Sequence, residues 1–129
     1  MWRLIHAARA LEDRIESGLT RIGVSGAKLG VLTELVKAGE PLTLGELASR
    51  IKCVRSNVTQ LVDRLEADGL VRRTDAPGDR RSVLAELTAE GRRSHKEGTQ
   101  LVESVQRDFA KSVPAGDRAA LLGALAGLK

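Results

Sequence analysis

Tyrosine is absent from this sequence, and tryptophan, phenylalanine, methionine and cysteine occur once each. A core so short of rings has to be assembled from Leu, Val, Ile and Ala, which suits packed helices better than a large β-sandwich. One cysteine excludes an internal disulfide framework and fits a reducing compartment. No run comes near the roughly 18 consecutive apolar residues of a membrane helix. The opening MWRLIHAARALEDRIES is interrupted too often by charge to be a secretory core. These absences predict a soluble cytoplasmic protein with no membrane partner.

Signatures of catalysis are missing too. There is no Gly-rich phosphate loop, no paired-carboxylate motif and no nucleophile–base spacing, so an enzyme is not expected. His6 and His95 fall in different predicted helices without a partner at i+4, short of the several ligands a closed metal site needs. Neither a metal nor a cofactor is expected.

What the chain does contain is enough apolar residue, 42% of 129, for one packed domain with a helical extension. The formal net charge of +4 is compatible with an anionic partner without demanding one. Its distribution says more. Between positions 50 and 81 stand eight basic residues (Arg50, Lys52, Arg55, Arg64, Arg72, Arg73, Arg80, Arg81) against five acidic ones. Near the N-terminus, by contrast, Arg3, Arg9 and Arg14 are balanced by Glu12, Asp13 and Glu16.

Leu4, Ile5, Ala8, Leu11, Ile15, Leu19 and Ile22 recur at helical steps and predict an opening helix of about 15 residues, frayed at Gly18 and Gly23. Ser25 is a candidate N-cap for a second helix ending near Ala38, closed by Gly39 and blocked by Pro41. Thr43 with Glu46 forms a capping box for a short helix to about Ile51, its buried stripe being Leu44, Leu47, Ala48 and Ile51. A fourth helix runs from about Val54 to Ala67 and stops at Asp68 and Gly69. Residues 70–74 and 82–87 read as strands around DAPGDRR. Thr88 starts a long helix toward Ser112, and Pro114 starts a last one with Leu121, Leu122, Leu125 and Leu128 on one side. The expected fold is mainly α with a small β-wing.

On the fourth helix, Val54, Val58, Leu61, Val62 and Leu65 fall within one arc. Ser56, Thr59, Gln60, Asp63 and Arg64 fall opposite, with Arg55 and Asn57 on the borders. Its first two turns therefore present Arg55, Ser56, Asn57, Thr59 and Gln60 without any acid. Such groups can meet base edges, and a helix N-terminus attracts phosphate. The acids Asp63, Glu66 and Asp68 come later, where a helix leaving a groove would no longer be repelled. A plain solvated face is the bland alternative; the Ala48-containing partner helix before it and the basic hairpin after it favour DNA.

In the hairpin, Pro77 and Gly78 force a turn that Asp79 can stiffen through nearby backbone N–H groups. A stiff tip would deliver Arg80 or Arg81 to a minor groove at low entropic cost, with Arg72 and Arg73 near phosphates at the strand root. Taken alone, an exposed arginine pair serves solubility equally well.

SNVTQLVDRLEADGLVRR at 56–73, DAPGDRRSV at 75–83 and ELTAEGR at 86–92, with an Asp-x-Arg wing signature at Asp79 and Arg81, make the region 29–103 resemble the MarR family of winged-helix transcriptional regulators. The resemblance implies a winged helix-turn-helix lobe at 25–88, with dimerisation helices at 1–24 and 89–129. It implies a homodimer on a palindromic operator in double-stranded DNA, the helix 54–67 in the major groove and Arg81 in the minor groove. Ser56, Asn57, Thr59 and Gln60 fall on positions where the family contacts bases and phosphates. A small-molecule effector is implied in a cleft drawing on Trp2, His6, Arg9 and the helix 88–112, although Trp2 and Phe109 suit interface packing better. Two residues depart from the pattern: Lys52 stands where many such turns carry Gly, and Val54 where Ser or Thr often caps.

A dimer also has a physical argument. The terminal helices carry more Leu, Ile and Val than a monomer could readily cover, and one winged helix makes few phosphate contacts for binding at cellular salt. The expected function is sequence-specific DNA binding by a ligand- or stress-responsive repressor. The alternative is a winged-helix architectural or protein-interaction module without sequence readout. Cys53 invites a redox reading, but its place in the apolar turn between two helices suits a small buried hydrophobe better.

Overall fold

Val31, Leu32, Leu47, Val58, Val62, Leu65 and Ala85 are wholly shielded from solvent (0% exposed), and the fold is organised around them. The computed structural model of the chain describes residues 2–76 and 78–112, together with Gly123. Its elements run α1 (Trp2–Arg21), α2 (Gly26–Ala38), β1 (Leu42–Thr43), α3 (Leu44–Ile51), α4 (Arg55–Ala67), β2 (Val71–Ala76), β3 (Asp79–Leu87) and α5 (Ala89–Ser112). The strands form one antiparallel sheet in the order β1-β3-β2. This is a mainly helical winged helix-turn-helix.

Local chemistry sets the helix ends. Ser25 Oγ accepts the Lys28 N–H at 3.1 Å, and Gly39 in the left-handed region closes α2. Thr43 Oγ1 accepts the Glu46 N–H at 3.1 Å while Glu46 Oε2 accepts the Thr43 N–H at 3.4 Å, a complete capping box. Thr88 Oγ1 accepts the Gly91 N–H at 3.0 Å and donates to the Gly69 carbonyl at 2.7 Å, so the start of α5 is fixed to the end of α4.

Several expectations need correcting. Helix α1 does not fray at Gly18 but continues to Arg21, for 20 residues. Gly18 is a contact point: a Cβ there would lie 2.8 Å from Leu101 Cδ2 on α5. Strand β1 is two residues long, too short to leave a periodic trace, and pairs Leu42 with Ala85 and Thr43 with Leu84. The wing strands are longer than expected, so Arg80 and Arg81 stand on the backbone of β3 rather than in an open loop. A register shift between Asp75 and Ala76 leaves residues 80–82 as excess length on β3 between the Ala76–Asp79 and Asp75–Val83 pairs.

Two clusters make up the interior. The larger joins α2, α3, α4 and the sheet, with Leu35, Leu42, Leu44, Leu70 and Val71 around the fully shielded set. The smaller lies between α1 and α5, where Leu11 meets Phe109 with Leu4, Ala7, Ile15 and Val105 about them. Phe109 is therefore packed inside the chain (9% exposed), not held out for an interface. The predicted helix after Pro114 lies outside the described residues.

Candidate nucleic-acid interface

Helix α4 is held by one face. Val58, Val62 and Leu65 are 0% exposed and seat it on the core. Each such side chain contributes about 1.5–3 kcal/mol, so the seam outweighs the roughly 1 kcal/mol forgone by an uncapped start. That start is Val54, an N-cap residue with no side-chain hydrogen bond. The helical wheel assigns Val54 to the buried arc, yet it is 62% exposed. An N-cap residue has extended rather than helical backbone, here φ −70 and ψ 146, so the wheel angle does not apply to it.

The turn before Val54 is closed by Lys52 in the left-handed region, φ 53 and ψ 47. Cys53 is half-buried against the core, and its N–H reaches the Ala48 carbonyl at 3.0 Å. Ala48 packs partly buried under the same turn. A non-glycine residue with positive φ costs about 1–2 kcal/mol, so this turn is locally unfavourable and is imposed by its surroundings.

Outward from α4, Arg55, Ser56, Asn57, Gln60 and Arg64 are all exposed. Thr59 is half-buried, and its hydroxyl donates to the Arg55 carbonyl at 2.9 Å. That bond occupies its proton within the helix, so Thr59 offers less to a partner than its position on the wheel suggests. The exposed face of the first two turns is thus Arg55, Ser56, Asn57 and Gln60, with no acid among them.

The basic residues sort into two groups. Arg50 faces Glu34 at 3.8 Å, and Arg72 pairs with Glu86 at 2.9 Å across the β2–β3 ladder. Arg73 is the clearest departure from expectation. Its guanidinium pairs with Asp63 and reaches the Thr59 carbonyl at 3.4 Å, and its Nε is buried without a partner. Its own backbone N–H donates to Glu66 Oε2 at 3.0 Å. The late acids of α4 therefore anchor the wing, and Arg73 is a clamp between wing and helix, not an open phosphate contact. Asp68 at the helix end takes Lys28 of α2 at 2.8 Å.

Lys52, Arg55 and Arg64 take no ion-pair partner among the described residues. Lys52 stands out in the sequence only by its charge and by replacing the usual glycine of the turn, and its exposure there adds it to the candidate set. The backbone of β3 brings Arg80 and Arg81 to the far end of the hairpin from α5. The side chains of Asp79, Arg80 and Arg81 lie outside the described residues, as does Pro77. Gly78, at φ +78, makes the tight reversal between the strands.

The suggested effector residues lie elsewhere. Trp2, His6 and Arg9 are exposed on α1, with the Trp2 and His6 ring centroids 6.3 Å apart. Within a single chain they stand on the open side of α1, away from the Leu11 and Phe109 packing.

This geometry has close parallels. Residues 22–82 match the sequence model of the MarR family. The HTH-type transcriptional regulator PrsX of Escherichia coli is 35% identical over 88 residues, covering 67% of this chain and 53% of PrsX. The YusO protein from Bacillus subtilis superimposes with a TM-score of 0.79 at 27% identity, over 98% of this chain and 89% of that one. A mutant MarR from E. coli complexed with operator DNA gives a TM-score of 0.76 at 26% identity, over 98% and 91%. The chain belongs to the MarR family. This MarR-family chain spans about half the length of PrsX. Among the described residues no helix is long and apolar enough to cross a membrane.

Proposed function

We propose that the chain is a sequence-specific, double-stranded DNA-binding transcriptional regulator that works as a homodimer on a palindromic operator. The observation that carries this reading is the exposed, acid-free start of α4, with Arg55, Ser56, Asn57 and Gln60 facing solvent beside unpaired Lys52 and Arg64. Short amides and hydroxyls suit base edges in a major groove, and unpaired cations suit the phosphates on either side. Arg81, carried on the wing backbone, is assigned to the adjacent minor groove. The structure of E. coli MarR with operator DNA supports the same use of this fold. No catalytic role is assigned.

In this reading residues 25–88 form the DNA-binding lobe, while 1–24 and 89–129 supply the dimer contacts. Two lobes separated by about one turn of duplex would multiply the phosphate contacts and impose the palindrome. A small-molecule effector, in a cleft near Trp2, His6 and Arg9, would release DNA only by binding better to a dimer geometry whose α4 helices miss successive grooves. Repression is the expected output.

Fluorescence-anisotropy titration against the region upstream of its own gene, beside a scrambled duplex, tests the proposal. A regulator prefers the first by orders of magnitude, with log K falling steeply as log salt rises. Equal affinity for both duplexes would favour an architectural protein, and no binding to either would remove DNA from the account.

A further inference from the structure

Val54 is an exposed, β-branched apolar residue at a position where the fold rewards a polar one. Helices α2, α3 and α5 each begin at a hydroxyl that accepts a first-turn N–H: Ser25, Thr43 and Thr88. Helix α4 begins at Val54, whose side chain can accept none. The four exposed large hydrophobics among the described residues are Trp2, Ile5, Val36 and Val54, and of these only Val54 lies in the turn that joins α3 to α4. Two residues earlier the chain also places Lys52 at φ 53, where glycine would be easier. Two choices against local preference in one turn, beside Arg55, Ser56 and Asn57, mark a position shaped by what it meets rather than by the stability of its helix.

Resting on the DNA-binding reading above, we propose that Val54 is a specificity-determining residue that packs its methyl groups against the 5-methyl group of a thymine in each operator half-site. In the major groove that methyl is the one apolar mark distinguishing an A·T pair, and a small branched aliphatic side chain matches it. The backbone is ready for the task. The Val54 carbonyl accepts the Asn57 N–H at 3.1 Å and the Val58 N–H at 3.2 Å, which fixes the Cα at the rim of α4. A β-branched side chain has few rotamers to lose, so ordering it against a base costs little entropy. Val54 would thus read one base while Asn57 and Gln60 read its neighbours by hydrogen bonds.

The test starts from a duplex selected by the wild-type protein out of a random-sequence library. Each thymine of a half-site is then replaced by deoxyuridine, which deletes only the methyl group. One replacement should weaken wild-type binding about fourfold, the value of one buried methyl. Val54→Ser should show no loss at that replacement, while Val54→Ile keeps the sensitivity. Val54→Ser should also melt higher than the wild type, because it gains a cap, so weaker discrimination cannot be blamed on poor folding. Tight, selective binding that is indifferent to every deoxyuridine would overturn the Val54 assignment and leave the DNA-binding proposal standing. The same sensitivity in Val54→Ser would assign the methyl to another residue and overturn it as well. Failure to select any duplex would instead remove the reading on which it rests.

Discussion

Arg73 on β2 turns its guanidinium onto the carboxylate of Asp63 on α4, while Glu66, three residues on from Asp63, accepts the Arg73 backbone N–H at 3.0 Å. The wing and the candidate recognition helix are therefore coupled through one residue of one strand. Asp63 is 55% exposed and Arg73 30%, so the pair is screened well below a buried ion pair. Asp63→Asn should cost about 1 kcal/mol, seen as a lower urea midpoint with an unchanged slope. An unmoved midpoint would show that the coupling contributes nothing to stability.

Gly91 and Gly18 should differ sharply in their tolerance of a methyl group. A Cβ on Gly91 would overlap the Leu70 carbonyl oxygen and press on Leu87 at 3.1 Å, and that carbonyl is backbone which cannot swing away. Gly91→Ala should therefore destabilise by about 1–3 kcal/mol or more. On Gly18 the neighbour is the end of the Leu101 side chain, which can rotate. The better helix propensity of Ala offsets part of the strain there, leaving Gly18→Ala within about 1 kcal/mol of wild type. Thermal unfolding of the two variants checks the order.

Lys52 offers a gain. Its left-handed backbone, φ 53, penalises any side chain with a Cβ. Lys52→Gly should stabilise by up to about 1 kcal/mol, the residual entropy cost of glycine subtracted. The same change removes an exposed cation, so DNA affinity should fall and the salt slope should become shallower by about one phosphate contact. A variant that is more stable yet binds more weakly would separate the two roles of this residue.

Acid should weaken the fold through His95. This half-buried imidazole, with Thr99 Oγ1 3.3 Å from its Nε2, has its pKa lowered from the ordinary 6.5 because burial disfavours the charged form. The unfolded chain then binds the proton more readily than the folded one, so stability rises with pH across this window. The His95 contribution is fully present above about 6.5 and is lost as pH falls through the lower folded-state value. His95→Gln should flatten that part of the stability–pH curve in denaturant titrations run from neutral to mildly acid pH. An unchanged curve would assign the acid response to other groups.

Features written in adjacent residues were legible before any coordinates. Ser25, the Thr43 and Glu46 pair and Thr88 announce helix starts because a cap needs only its own first turn. The outward set Arg55, Ser56, Asn57, Gln60 and Arg64 follows from helical periodicity alone. What escaped depends on a distant partner or on a non-helical backbone. Gly18 looks like a helix breaker until Leu101 is seen against it. Arg73 looks like a free cation until Asp63 is brought opposite by the fold. Val54 looks buried on a wheel because the wheel extends helical geometry to a residue that does not share it. Strand β1 exists only through its ladder to Ala85 and Leu84.

Base-edge reading by the exposed start of α4 is tested most directly with Asn57→Ala and Gln60→Ala, each titrated against the selected duplex and a scrambled one at fixed salt. Each variant should lose about 1–3 kcal/mol on the selected duplex and almost nothing on the scrambled one, so that the preference itself collapses. Equal losses on both duplexes, or no loss on either, would contradict sequence readout by this helix.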